Sequence, residues 1–353
     1  MRATRLGLTS LRGRRLLPLL ALVLLVALLV ACDAPQSTTE IAGNNNDKLW
    51  EPYRVVLVLA AIVFVLVLVL TLGFSIWFRE RPGRPARQIH GNTRLEVIWT
   101  LIPVAIVAMI AIPTFDALFK IDKDPPADAM KIEAIGHQWW FEFRYLDDKG
   151  ETVLTTANEL HLPEGKPVTI ALRSVDVIHS FWVPAISGKV DMIPGHDNNI
   201  SFTATKARPE PYLGQCAELC GLSHANMRFR VFVQAPADFD NWMSDQKKDS
   251  TSATGDLASE GEQLFAQSAC IGCHTVRGTS AQGKVGPDLT HVGSRTTVAA
   301  GTLENNAQNL ARWIRNSADV KPGSKMPPQG ASAGGTLTDD QIAAIAAYLL
   351  SLR

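Results

Sequence analysis

The hydrophobic pattern changes period along the chain, and each change marks a different kind of element. Residues 16–31 form an apolar block preceded by Arg2, Arg5, Arg12, Arg14 and Arg15 and ending on the small residue Ala31, the layout of a cleavable export signal over 1–31. That block is shorter than a bilayer span, whereas 55–78 and 97–115 are each near the roughly 20 apolar residues that a membrane helix needs. Two transmembrane helices are therefore expected within 53–119. Between them stand Arg79, Arg81, Arg84, Arg87 and Arg94. Short basic loops stay on the cytoplasmic side, so both outer ends of this hairpin face outward, and everything from about Lys120 onward is extracytoplasmic.

From 131 to 234 the period falls to two. Val168, Ile170 and Leu172 alternate with Thr169, Ala171 and Arg173, and Met227, Phe229, Val231 and Val233 alternate with more polar neighbours. With turns at Leu162-Pro163-Glu164-Gly165 and Ile193-Pro194-Gly195, this predicts an antiparallel β-sandwich or barrel of roughly 100 residues within 120–243. Residues 244–256 contain no apolar side chain larger than Ala and read as a flexible linker. Residues 257–353 return to helical spacing, with a start at Ser259-Glu260-Gly261-Glu262 and a closing helix over 337–352 that opens on Thr338-Asp339-Asp340.

Charge adds an exclusion. Lys and Arg number 34, as do Asp and Glu, for a formal net charge of zero, and 46% of residues are hydrophobic. Neither a disordered polyanion nor a basic nucleic-acid arm has that balance, so no nucleic-acid partner is expected.

The five cysteines carry the chemistry. Cys216, Cys220, His224 and Met227 stand close together inside the β region, with His179 upstream in Asp176-Val177-Ile178-His179. Thiolates, imidazoles and a thioether suit copper, and two Cys with two His suffice for two centres if both thiolates bridge. A Cys216–Cys220 disulfide and a zinc site are the competing readings, and neither uses Met227. Downstream, Cys270-Ile271-Gly272-Cys273-His274 is the attachment sequence for c-type haem, in which the thiols form thioethers and the histidine ligates iron. Met326, the only methionine of the last domain, is the expected sixth ligand, with His291 as its competitor.

The block Cys216 to Met227, with His179 and the run Gly136-His137-Gln138-Trp139-Trp140-Phe141, resembles subunit II of haem-copper cytochrome c oxidases over roughly residues 50–240. Residues 257–353 resemble a small class I cytochrome c, including Gly286-Pro287-Asp288-Leu289, where the family's proline backbone steadies the haem histidine. The start of the chain resembles bacterial lipoprotein signals, which implies lipidation of Cys32; a noncleaved anchor is the alternative. The resemblance implies a two-helix transmembrane hairpin, a cupredoxin-like β-sandwich and an all-α cytochrome c domain, in a multi-pass protein of the bacterial plasma membrane. It implies a dinuclear CuA centre on His179, Cys216, Cys220, His224, Met227 and the Glu218 carbonyl, with the Glu218 carboxylate reaching a magnesium ion shared with subunit I. Trp139 takes the family's electron-entry position, although the run reads Trp-Trp-Phe where the family has Trp-Tyr-Trp, and Glu96 matches a glutamate at a proton-uptake entrance. From the residues alone, Trp139 reads as core and Glu96 as an interfacial charge.

The implied partners are subunit I and other oxidase subunits, with a cytochrome c or a quinol-cytochrome c reductase as donor. Haem c fused to CuA implies the electron-entry subunit of a caa3-type oxidase, with oxygen reduced to water on subunit I and protons translocated. No substrate position is left open on this chain, since every copper and iron position is filled. A quinol oxidase subunit II lacks the copper ligands. A CuA-containing nitric oxide reductase keeps them and stays open as the alternative.

Overall fold

The computed structural model describes residues 36–83, 90–121 and 125–353. The export signal, Cys32, Arg84 and Arg87 lie outside the described residues. Two long helices come first, α1 (Asn44–Trp77) and α2 (Thr93–Ile121). At 1.5 Å per residue both exceed the roughly 30 Å of a bilayer core. Their apolar stretches are unburied by the rest of the chain, with Phe64, Val69, Trp99 and Ile112 among the exposed side chains, as lipid-facing helices require.

The first turn of α1 is pinned to the domain that follows. Ala42 exchanges backbone hydrogen bonds with Ala185 and Thr205, the Asn44 Oδ1 accepts from Thr203 N at 2.8 Å, and the Asn45 amide donates to the Ser201 carbonyl at 2.7 Å. Both outer ends of the hairpin therefore lie on the side of the β domain.

That domain has ten strands in two sheets. One sheet runs β3 (Thr152–Ala157), β2 (Trp140–Leu146), β1 (Met130–His137), β5 (Pro167–Ser174), β8 (Asn198–Thr203). The other runs β4 (Glu159–Pro163), β10 (Arg228–Gln234), β9 (Tyr212–Cys216), β6 (His179–Trp182), β7 (Val190–Met192). The expected alternation holds: Val168, Ile170 and Leu172 are buried, as are Met227, Phe229, Val231 and Val233. Phe141, Phe143 and Phe181 gather around Phe229 at centroid distances of 4.7, 5.5 and 5.1 Å. Full burial of such a side chain contributes roughly 2–3 kcal/mol.

The sheets are not wholly antiparallel. β1 pairs with β5, and β4 with β10, in parallel. At Asn158, a single residue with φ 60, the chain passes from β3 in one sheet to β4 in the other. Asn tolerates that left-handed conformation, and its side chain accepts from Phe141 N at 3.0 Å while its carbonyl accepts from Arg230 N at 2.9 Å, tying both sheets to the turn.

Helix α3 (Pro236–Gln246) closes the β domain through Phe239 and Trp242, running into the segment expected to be a flexible linker. The rest of that segment lies along the last domain: Arg277 donates to the Gln246 and Lys248 carbonyls, and Ser250 N donates to Arg277 O. Its composition offers no apolar anchor, but its backbone offers polar partners.

The last domain packs α4 (Asp256–Gln267), α5 (Ala307–Arg315) and α6 (Asp339–Ser351) around its own core of Phe265, Leu310, Ile345 and Tyr348. The closing helix starts on a capping box, with the Thr338 Oγ1 accepting from Gln341 N and the Gln341 side chain accepting from Thr338 N. The domain is helical apart from a hairpin, β11 (Thr297–Val298) and β12 (Leu303–Glu304).

Candidate functional site

His179 opens β6, Cys216 closes β9, and Met227 immediately precedes β10, so neighbouring strands of one sheet deliver three of the predicted ligands to one end. The loop between β9 and β10 brings Cys220 and His224. Cys216 and Cys220 are unbonded thiols with sulfurs 3.7 Å apart. The His179 Nδ1 lies 3.9 Å from the Cys216 sulfur, the His224 Nδ1 3.6 Å from the Cys220 sulfur, and the Met227 sulfur 3.9 Å from that of Cys220. The Cys216 thiol reaches the Glu218 carbonyl at 3.2 Å. The Glu218 side chain itself is exposed and stands outside the one cluster of three metal-ligating groups among the described residues, His179, Cys216 and Cys220.

Two residues that the ligand spacing did not single out shape this site. Asp176 faces the far side of His179, with Oδ1 2.8 Å from Nε2, and its other oxygen accepts from Gln138 N and Lys325 Nζ. Burial pushes the carboxyl up, but these hydrogen bonds outweigh it and hold its pKa at about 2. Gly136 lies against the same ring: a Cβ there would come within 2.7 Å of His179 Cδ2. Asp176 stands three residues before His179 and Gly136 lies in the opposite sheet, and only folding sets both against the imidazole.

The second centre is a cavity of about 510 Å³ whose walls include Cys273, His274 and Met326. Cys270 packs against the adjoining core. The His274 Nδ1 donates to the Pro287 carbonyl at 2.8 Å, which leaves Nε2 free for a metal. Burial lowers the pKa of this histidine and favours its neutral, ligating form. Gly286 gives the ring room, since a Cβ there would meet His274 Cε1 at 2.6 Å. Met326 is held by Ser317, whose hydroxyl donates to its carbonyl at 2.6 Å. His291 turns the other way, its Nε2 donating to the Lys248 carbonyl at 3.0 Å.

Trp139 stands between the two centres. Its Nε1 donates to the Cys220 carbonyl at 2.9 Å, it lines the cavity beside Met326, and its ring lies against Gly323 of the last domain. Glu96 is far from both, exposed in the first turn of α2.

The donor sets fit the groups that the chemistry asks for. Buried, unbonded thiols among imidazole and thioether ligands suit copper, and a cavity with one free histidine nitrogen, a thioether and the Cys-x-x-Cys pair suits haem c. A β-sandwich with that thiol pair, tethered by two apolar helices and joined to a cytochrome fold, defines a membrane-bound electron-transfer subunit. Residues 41–117 match the family "Cytochrome C oxidase subunit II, transmembrane domain", 130–234 its periplasmic domain, and 258–353 the family "Cytochrome c". The chain is 35% identical over 348 residues to cytochrome c oxidase subunit 2 of Alkalihalophilus pseudofirmus, covering 96% of this chain and 97% of that one. It is 32% identical over 365 residues to the Bacillus subtilis protein of the same description, covering 96% and 98%. Among solved structures it is similar to the periplasmic domain of cytochrome oxidase subunit II of Bradyrhizobium japonicum, at 31% identity, with 35% of this chain and 97% of that chain covered and a TM-score of 0.32. The chain belongs to the cytochrome c oxidase subunit II family, in the form that carries a C-terminal cytochrome c domain. That family implies CuA and haem c.

Proposed function

We propose that the chain is the electron-entry subunit of a haem-copper oxidase in the bacterial plasma membrane. Cys270, Cys273, His274 and Met326 would hold haem c, and His179, Cys216, Cys220, His224, Met227 and the Glu218 carbonyl would hold two copper ions. Bound there, the two groups supply one-electron transfer from a cytochrome c or a quinol-cytochrome c reductase toward subunit I, where oxygen is reduced to water and protons are moved. The observation that carries this reading is the position of Trp139, which lines the haem cavity and hydrogen-bonds the Cys220 carbonyl.

The chain's own groups do the positioning. Asp176 orients His179 and the Pro287 carbonyl orients His274, each fixing which ring nitrogen is free to ligate. Burial of both thiols and of Met227 keeps water from the copper ligands. Glu96, on the cytoplasmic end of α2, is the chain's candidate for proton uptake; a first-turn acid also suits the helix dipole.

Optical and EPR spectra of the purified complex, with gas consumption, test the reading. A haem c spectrum, a mixed-valence copper signal and oxygen consumption are expected. Absence of the copper signal in copper-replete protein would overturn it, and nitric oxide consumption in place of oxygen would reassign the complex to nitric oxide reduction.

A further inference from the structure

The face of the β domain that carries Trp139, Asp176 and Ser223 is in contact with the chain's own cytochrome domain, and polar contacts cross the boundary in both directions. Lys321, in the cytochrome domain, is 3% exposed and has no carboxylate partner among the described residues. Its ammonium donates to the Trp139 carbonyl and lies 3.5 Å from the Ala299 carbonyl. Glu159, at the start of β4, is 4% exposed and reaches the opposite way: its Oε1 accepts from Thr296 N at 2.7 Å and from Thr296 Oγ1 at 2.6 Å.

Between these two contacts lies the tip of the β11–β12 hairpin. Ala299, Ala300 and Gly301 have φ of 53, 57 and 74, a left-handed run that alanine resists. The run turns carbonyls toward the β domain, where Ala300 O accepts from Arg228 N and Gly301 O accepts from the Arg230 guanidinium, both at 3.2 Å. Ser223 adds a bond from its hydroxyl to the Pro322 carbonyl at 2.6 Å.

A buried polar group is costly unless hydrogen-bonded, whichever form it takes, and the strongest partners of both Lys321 and Glu159 lie across the boundary. Neither side chain is a haem or copper ligand. We infer that Lys321 and Glu159 are reciprocal latches that hold the cytochrome domain seated on the Trp139 face, so that the resting partner of this face is the chain's own cytochrome domain. The inference does not depend on the direction of electron flow, because every contact is between protein groups.

Hydrogen–deuterium exchange of the full-length chain in its purified complex tests it, because the Thr296 and Arg228 amides both donate across the boundary. In the unmodified chain these amides should be protected; exchange at the rate of free loop amides would overturn the seated state. Lys321→Met and Glu159→Gln, made separately, should each raise exchange in peptides covering 222–230 and 295–302 by about tenfold, the scale of a lost buried hydrogen bond. Exchange in α4 and α6 should stay unchanged, and Lys321→Arg should restore much of the protection. If α4 or α6 also loosens in the Lys321 variant, Glu159→Gln, in the other domain, decides. Unchanged protection at the boundary in correctly folded variants would overturn the latch.

Discussion

The Asp176 carboxylate holds His179 by its outer nitrogen, Oδ1 to Nε2 at 2.8 Å, and so turns Nδ1 toward the Cys216 sulfur. A carboxylate behind a ligating histidine fixes its tautomer and raises its basicity, and losing one typically costs about 10–100-fold in metal affinity. Asp176→Ala should weaken copper binding by that order while leaving haem c attached. Copper titration followed by visible absorption checks this; unchanged affinity would show that packing against Gly136 alone orients the ring.

Cys216→Ser and Cys220→Ser should each abolish the mixed-valence copper signal and leave the haem c spectrum intact. Both sulfurs sit within 4 Å of an imidazole nitrogen and of each other, so both would hold copper, and the harder hydroxyl of Ser is a poor substitute for either. An intact signal in either variant would remove that cysteine from the site.

Met326→Ala should lower the haem midpoint potential, because Met/His ligation raises it. His291, the competitor read from the sequence, is held away by its bond to the Lys248 carbonyl. Redox titration distinguishes them: an unchanged midpoint in Met326→Ala would return the sixth position to His291.

His161 gives the β domain a pH dependence remote from both centres. Its ring is stacked between Trp242 at 3.9 Å and Phe232 at 4.5 Å, and burial pulls its pKa from 6.5 to about 4, against the raising effect of Gln234. The folded-state value is depressed, so the unfolded chain takes up the proton first as pH falls. Stability is full above about 6.5 and declines toward 4, by on the order of 3 kcal/mol. His161→Phe should flatten the decline over that window. Denaturant unfolding followed by tryptophan fluorescence measures it, and an equal decline in the variant would contradict the assignment.

The parts legible in the sequence were those written in local patterns. The alternation around Ile170 and Val231, the length of the two apolar helices, the spacing from Cys216 to Met227, and Cys270-x-x-Cys273-His274 each declare themselves within a few residues. What stayed hidden depends on contacts between distant segments. Gly136 matters because packing of one sheet on the other brings it against His179, and the parallel β1–β5 and β4–β10 pairs join segments that no local pattern links. Residues 247–255 looked free because composition does not record that Arg277 would bind the Lys248 carbonyl. Lys321 and Glu159 resemble ordinary surface charges until both domains are in place.

Anaerobic rapid reduction of the purified complex, with haem c and copper absorption followed together after a small pulse of electrons, tests the central claim most directly. The account predicts that the haem c band rises first and then falls as the copper band bleaches, with the second phase independent of protein concentration because both centres lie on one chain. Bleaching of the copper band with no preceding haem c signal, or a haem c signal that never passes to copper, would contradict it.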